Sequence, residues 1–160
     1  MPFEKAYVAI DLEPEKNIGL KSPLHITVKP PIALEDSVVQ RLVDQLSNNL
    51  ANLGLIEIEG EDEAEFGSNI NPVRVRKIAL NILLSELHRK SMNVMEEFAP
   101  DIDKTYAREN WQPHSICKDN IELGEGEKRM ANHVVLLGKQ NGGWSRIAKI
   151  PLIDRYETKT

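Results

Sequence analysis

The sequence predicts an α+β fold of antiparallel strands and two long helices. Hydropathy periodicity gives the order β, β, α, β, β, α, β and then two further strands, which is not the alternation that builds a parallel sheet. Each half carries a strand, a short histidine-bearing strand and one long helix, which points to a duplicated unit, although the halves share too little sequence to form a repeat. With 160 residues, 41% of them hydrophobic and 28% charged, the chain lies in the globular range. It is expected to fold as one domain over residues 1–160 without a disulfide or structural metal.

Taken in order, Lys5 to Leu12 is rich in strand formers and runs into the turn-like Glu13-Pro14-Glu15-Lys16-Asn17, so it forms the first strand. Leu24 to Val28 is a second, short strand closed by Pro30 and Pro31, which cannot continue an internal ladder. Its alternation puts His25 and Thr27 on one face and Leu24, Ile26 and Val28 on the other. Leu34, Val38, Leu42, Leu46, Leu50 and Leu53 recur at spacings of four and three and predict an amphipathic helix ended by Gly54. Leu55 to Glu59 alternates as a half-buried strand, and the acidic run Glu59 to Glu65 predicts a solvated loop.

Val73 to Leu80 is a further strand, and Leu84, Leu87, Val94, Met95 and Phe98 mark the second helix, closed by Pro100. A polar stretch from Asp101 to Asn110, without predicted structure, leads to a short strand at Trp111 to Cys117, entered through Pro113. His133 to Leu137, the turn Asn141-Gly142-Gly143 and Trp144 to Leu152 predict a hairpin.

Composition excludes several functions. No apolar run approaches the roughly 18 residues that span a bilayer, and the N-terminal Met1-Pro2-Phe3-Glu4-Lys5 lacks the features of a secretory signal. The lone Cys117 accords with a reducing compartment, so a cytoplasmic location is expected. A net charge of -5 argues against coating long duplex nucleic acid, which clustered Lys and Arg drive by counterion release. A small substrate or an RNA end remains compatible, because one or two local bases hold a single phosphate.

Two of the four histidines share a setting that the others lack. Ser22-Pro23-Leu24-His25-Ile26-Thr27-Val28 and Trp111-Gln112-Pro113-His114-Ser115-Ile116-Cys117 each place a histidine on a short strand after a proline, with a hydroxyl within two positions. They lie 89 positions apart, too far for a contiguous metal motif. Opening a cyclic phosphate with water needs one group to take a proton from the nucleophile and another to give one to the departing ribose oxygen. Imidazole titrates close enough to neutral pH to do either. Thr27 points the same way as His25 on a strand, so its hydroxyl can donate to a non-bridging oxygen where charge builds up.

The segment Pro23-Leu24-His25-Ile26-Thr27-Val28-Lys29-Pro30-Pro31, with Pro113-His114 later, resembles the 2H phosphoesterase superfamily, the LigT-like group of 2'-5' RNA ligases and cyclic phosphodiesterases. The likeness runs from the first strand through the final hairpin. It implies a bilobal α+β fold: two antiparallel-sheet lobes with pseudo-two-fold symmetry around a central cleft, helices outside, and a His-x-Thr/Ser motif facing the cleft from each lobe. It implies His25 and His114 as the catalytic pair, with His25 as donor to the leaving oxygen and His114 as base, and Thr27 as a phosphate ligand. No metal or nucleotide cofactor is implied. The expected activity is hydrolysis of RNA 2',3'-cyclic or 2'-5' phosphodiester bonds in RNA processing, by a monomer acting on RNA ends or small nucleotides. The second motif departs from the pattern. Position 116 is Ile116, and the nearest hydroxyl, Ser115, is one step early, so it reaches the phosphate only through a bulge or twist.

Other residues carry weaker signals. Lys29 and Lys118 follow the two motifs and could attract phosphate, and Tyr106 and Trp111, beside the second motif, could stack on a base, as could Trp144. His88 reads as a helix-surface or packing residue, His133 as the start of a strand, and Arg74 and Arg76 as a solvated face. Two further readings keep the same histidines: hydrolysis of cyclic or 2'-5'-linked oligonucleotide signals, or a catalytically weak member that binds RNA ends or nucleotides, favoured by Ile116.

Overall fold

The computed structural model describes residues 2–12, 25–28, 32–67, 70, 72–99, 111–117 and 123–152. Its elements are β1 (Phe3–Asp11), β2 (His25–Thr27), β3 (Ile32–Leu34), α1 (Val39–Leu50), β4 (Ile56–Gly67), β5 (Pro72–Ile78), α2 (Ile82–Phe98), β6 (His114–Ile116), β7 (Lys128–Ala131), β8 (His133–Gln140) and β9 (Gly143–Pro151). A 3-10 turn at Asp36–Val38 leads into α1. The strands form two antiparallel sheets. One runs β2-β1-β8-β9, with β3 also paired to β1, and the other runs β6-β5-β4-β7. This is the expected α+β architecture of two sheet lobes.

The period-two rule sorts β1 between two environments. Ala6, Val8 and Ile10 join the main core with Ile26, Val134, Leu136 and Ile150, while Tyr7 and Ala9 form a second cluster with Val135 and Leu137 on the opposite face. The main core continues through Leu42, Leu46 and Leu50 of α1 and Leu84, Leu87 and Met95 of α2 to Ile56, Ile58 and Ile78 of the second sheet. Those three α1 leucines, each fully buried, are the centre of the predicted stripe. α2 starts at Asn81, whose side chain accepts from Leu84 N at 2.8 Å and donates to Glu57 O at 2.9 Å. One residue thus caps the helix, worth about 1 kcal/mol, and ties it to β4.

Several expectations are corrected. Leu34 belongs to β3, and the first helix ends at Leu50. Asn52 (φ 70°) makes the first left-handed step after the helix, and Gly54 (φ 83°) makes a second one. The acidic run Glu59 to Glu65 is not a loop but the middle of β4, because basic residues stand across the ladder: Glu63 opposes Arg76 and Glu65 opposes Arg74. Arg76 is not solvated. It is 6% exposed and donates to Leu123 O, Glu61 O and Glu63 Oε1. β7 carried no expectation from the sequence. Pro100 and the stretch 101–110 lie outside the described residues. The hairpin of β8 and β9 forms as expected, with Asn141 (φ 53°) and Gly142 (φ 79°) both left-handed, as a two-residue turn with the twist of the strands requires. Among the described residues no helix is long and apolar enough to cross a membrane.

Candidate functional site

Both histidine motifs lie on three-residue edge strands, one per sheet. β2 pairs with β1 in the register Ala9↔Thr27, Ile10↔Ile26, Asp11↔His25. β6 pairs with β5 as Val75↔Ile116, Arg76↔Ser115, Lys77↔His114. The two edge strands approach each other, with Cα atoms within 8 Å. Their middle residues, Ile26 and Ser115, are buried, while His25 and Thr27 on one strand and His114 on the other are half-buried. The topology therefore brings His25, Thr27 and His114, distant in sequence, to one seam between the lobes.

Each imidazole packs on an aromatic ring of its own lobe. The Tyr7 ring lies 5.2 Å from that of His25, and Tyr7 in turn meets Trp144 edge-on at 5.5 Å. Phe66 meets His114 edge-on at 4.6 Å. His114 Nδ1 is 2.9 Å from Gln112 O. A carbonyl only accepts, so Nδ1 carries the proton, and in the neutral ring Nε2 is then the lone-pair nitrogen. Opposite His25 in the ladder, Asp11 is ion-paired with Arg146 at 2.5 Å, its side chain wholly buried.

Ser115 does not take the expected place. The β6 register is continuous, with no bulge, so Ser115 faces away from His114, 1% exposed, its Oγ without a hydrogen-bond partner among the described residues. Ile116, 47% exposed, shares the His114 face, so a phosphate contact from the second motif's hydroxyl is not available there. Trp111 stacks on His88, ring centroids 4.2 Å apart and planes within 6°. Lys29, Tyr106 and Lys118 lie outside the described residues. The sequence reading missed Tyr7, Asp11, Phe66 and Arg146; the available signal was position, since Tyr7 and Asp11 share strand parity with the face opposite the core.

A pocket of about 220 Å³ opens where the ends of β1 and β8 meet β4 and β7, with Asp11, Arg129, Asn132 and His133 among its walls. His133 begins β8, as expected, and its Nδ1 lies 2.7 Å from Asn132 Oδ1. Burial, reinforced by Lys149, holds its pKa below the ordinary histidine value, partly offset by Asp11. Among the described residues no three His, Cys, Asp or Glu side chains group as metal ligands.

No protein-family model matches the sequence, and no curated protein matches it. The fold does find matches among solved structures. A phosphoesterase crystal structure aligns with a TM-score of 0.66 at 13% identity, covering 96% of this chain and 100% of that one. TT0787 of Thermus thermophilus aligns with a TM-score of 0.63 at 15% identity, covering 92% and 97%. E. coli LigT complexed with 3'-AMP aligns with a TM-score of 0.65 at 11% identity, covering 96% and 100%. At these identities the likeness is one of fold, and the chain has the bilobal α+β fold seen in E. coli LigT and in the matched phosphoesterase structure.

Proposed function

We propose that the chain is a metal-independent phosphoesterase that hydrolyses 2',3'-cyclic or 2'-5' phosphodiester bonds of RNA ends or small nucleotides, with His25 and His114 as its acid/base pair. The observation that carries this reading is the seam itself: two edge strands, one from each lobe, each presenting a half-buried histidine. The Nδ1–H of His114, donated to Gln112 O, leaves Nε2 to act as the base. His114 takes the proton of a water that attacks phosphorus, the bond from phosphorus to the ribose oxygen breaks, and His25 gives that oxygen its proton. Thr27 donates its hydroxyl to a non-bridging oxygen. The ligands of the LigT crystal structures, 3'-AMP, phosphate and ATP, favour nucleotide-sized substrates.

Ile116 on the His114 face favours a second reading, a nucleotide binder with weak turnover. Hydrolysis of a nucleoside 2',3'-cyclic phosphate in EDTA separates the two. Turnover that survives EDTA and disappears in both His25→Ala and His114→Ala is expected. A folded wild type without turnover that still binds 3'-AMP would replace the enzyme with the binder.

A further inference from the structure

His88 is a polar side chain in an apolar place. It is 2% exposed on α2, among Leu84, Leu87, Met92 and Met95, where a ring of similar size without nitrogens would fill the same space. Its Nδ1 lies 2.6 Å from Val28 O. The carbonyl accepts, so the imidazole donates. Val28 stands three residues after His25 and directly after Thr27, and its own N–H donates to Val8 O at 2.8 Å, so both polar groups of this peptide position are fixed. The face of the same imidazole stacks on Trp111, three residues before His114. From Trp111 the chain passes to Gln112, whose carbonyl accepts from His114 Nδ1 at 2.9 Å, and to Pro113, whose carbonyl accepts from Ile78 N at 2.9 Å. One helical side chain therefore grips the exit of the first motif through a hydrogen bond and the approach to the second through its ring.

We propose that His88 is a positioning residue that sets the two histidine strands relative to each other across the lobes. The inference rests on the His25 and His114 pair proposed above, but it concerns their placement rather than their chemistry. β2 and β6 belong to different sheets and share no ladder, so backbone hydrogen bonds fix each strand only within its own lobe. His88 touches both sides. These contacts, to Val28 O and to Trp111, are separable, because the hydrogen bond needs Nδ1–H and the stack needs a flat ring.

Three variants divide the roles: His88→Phe keeps a ring for Trp111 and removes the donor, His88→Asn keeps a donor near the Nδ1 position and removes the ring, and Trp111→Leu removes the stack from the other side. Each is measured for kcat and KM on a nucleoside 2',3'-cyclic phosphate in EDTA, and for the imidazole signals of His25 and His114 by NMR. Displacements of this kind cost up to about a hundredfold in rate, so His88→Phe is expected to lose about tenfold or more in kcat with KM nearly unchanged. His88→Asn is expected to recover part of that loss, and the His25 and His114 signals to move in His88→Phe at unchanged far-UV circular dichroism. Wild-type kcat in His88→Phe, or a loss explained by its unfolded fraction with both histidine signals unmoved, overturns the proposal. Should His88→Phe fail to fold, Trp111→Leu decides by the same readouts. A wild type without turnover would sink the phosphoesterase reading alone, since the NMR signals still report whether His88 positions the pair.

Discussion

Arg146 Nε and Asp11 Oδ2 stand 2.5 Å apart, joining β9 to the end of β1, with the carboxylate wholly buried and the guanidinium about a quarter exposed. Removing the arginine would leave the buried Asp11 carboxylate without this ion pair. Breaking buried pairs in this way costs about 3–5 kcal/mol, and the partial exposure of Arg146 places this case toward the lower end. Urea unfolding of Arg146→Ala should show a lowered midpoint with an unchanged m-value. A midpoint equal to wild type would mean that other contacts of Asp11 compensate for the lost pair.

Ser115 and Thr27 should behave oppositely. The Ser115 Oγ is buried without a partner among the described residues, so Ser115→Ala should leave turnover unchanged and be neutral or stabilising by about 1 kcal/mol. Thr27→Ala should lower kcat by roughly a hundredfold, the usual effect of losing one donor to a developing charge. Parallel kinetics and thermal melts of the two variants test the assignment, which fails if Ser115→Ala loses the activity and Thr27→Ala keeps it.

Ile116 occupies the exposed, His114-facing position of β6. Ile116→Thr places a hydroxyl where Thr27 sits relative to His25, and it suits a strand as a β-branched residue. We expect kcat to rise, by about tenfold or more if the new hydroxyl donates to the phosphate. Unchanged or lower turnover would mean that this half of the seam contributes only its histidine.

His133 makes stability depend on pH. Its folded pKa lies below the unfolded one, chiefly through burial, so the unfolded chain binds the proton more readily. The stabilisation is fully present above the unfolded value of about 6.5 and is lost as pH falls from there through the folded pKa. Denaturation at pH 7.5 and pH 5.5 should show a smaller stability difference for His133→Gln than for wild type. Equal differences would count against the burial effect.

Gly60 lies where β4 changes register, and a Cβ there would run into the carbonyl of Gly124. Gly60 also donates to Glu127 O and accepts from Gly126 N, so its backbone has little room to yield. Gly60→Ala should destabilise by about 1–3 kcal/mol, as overpacking does, read as a drop in melting temperature. An unshifted melt would show that the 123–127 segment can move aside.

The sequence made legible those features whose cause is local. The Leu42, Leu46 and Leu50 stripe, the Asn141-Gly142 turn and the alternation around His25 each follow from neighbours along the chain. The acidic stretch of β4 did not, because what makes it a strand is Arg74 and Arg76 across the ladder. Asp11 was invisible for the same reason, since Arg146 lies 135 positions away. His88 was expected on a helix, at its surface or in its packing, and it is buried; no local pattern announces that a helical imidazole will meet the carbonyl that follows β2, 60 positions off. Ser115 turned on whether β6 is regular, which its ladder to β5 decides.

The two histidines sit on edge strands of separate sheets, so under the proposed two-histidine chemistry neither lobe alone would hold both reacting groups. Chemistry that needs both becomes a gauge of lobe docking. Any opening along that junction, even one that leaves every helix and ladder intact, would abolish the proposed activity. Inactivation should then precede loss of secondary structure as denaturant rises, and a molecule that gripped both sides of the junction would hold the activity on past that point.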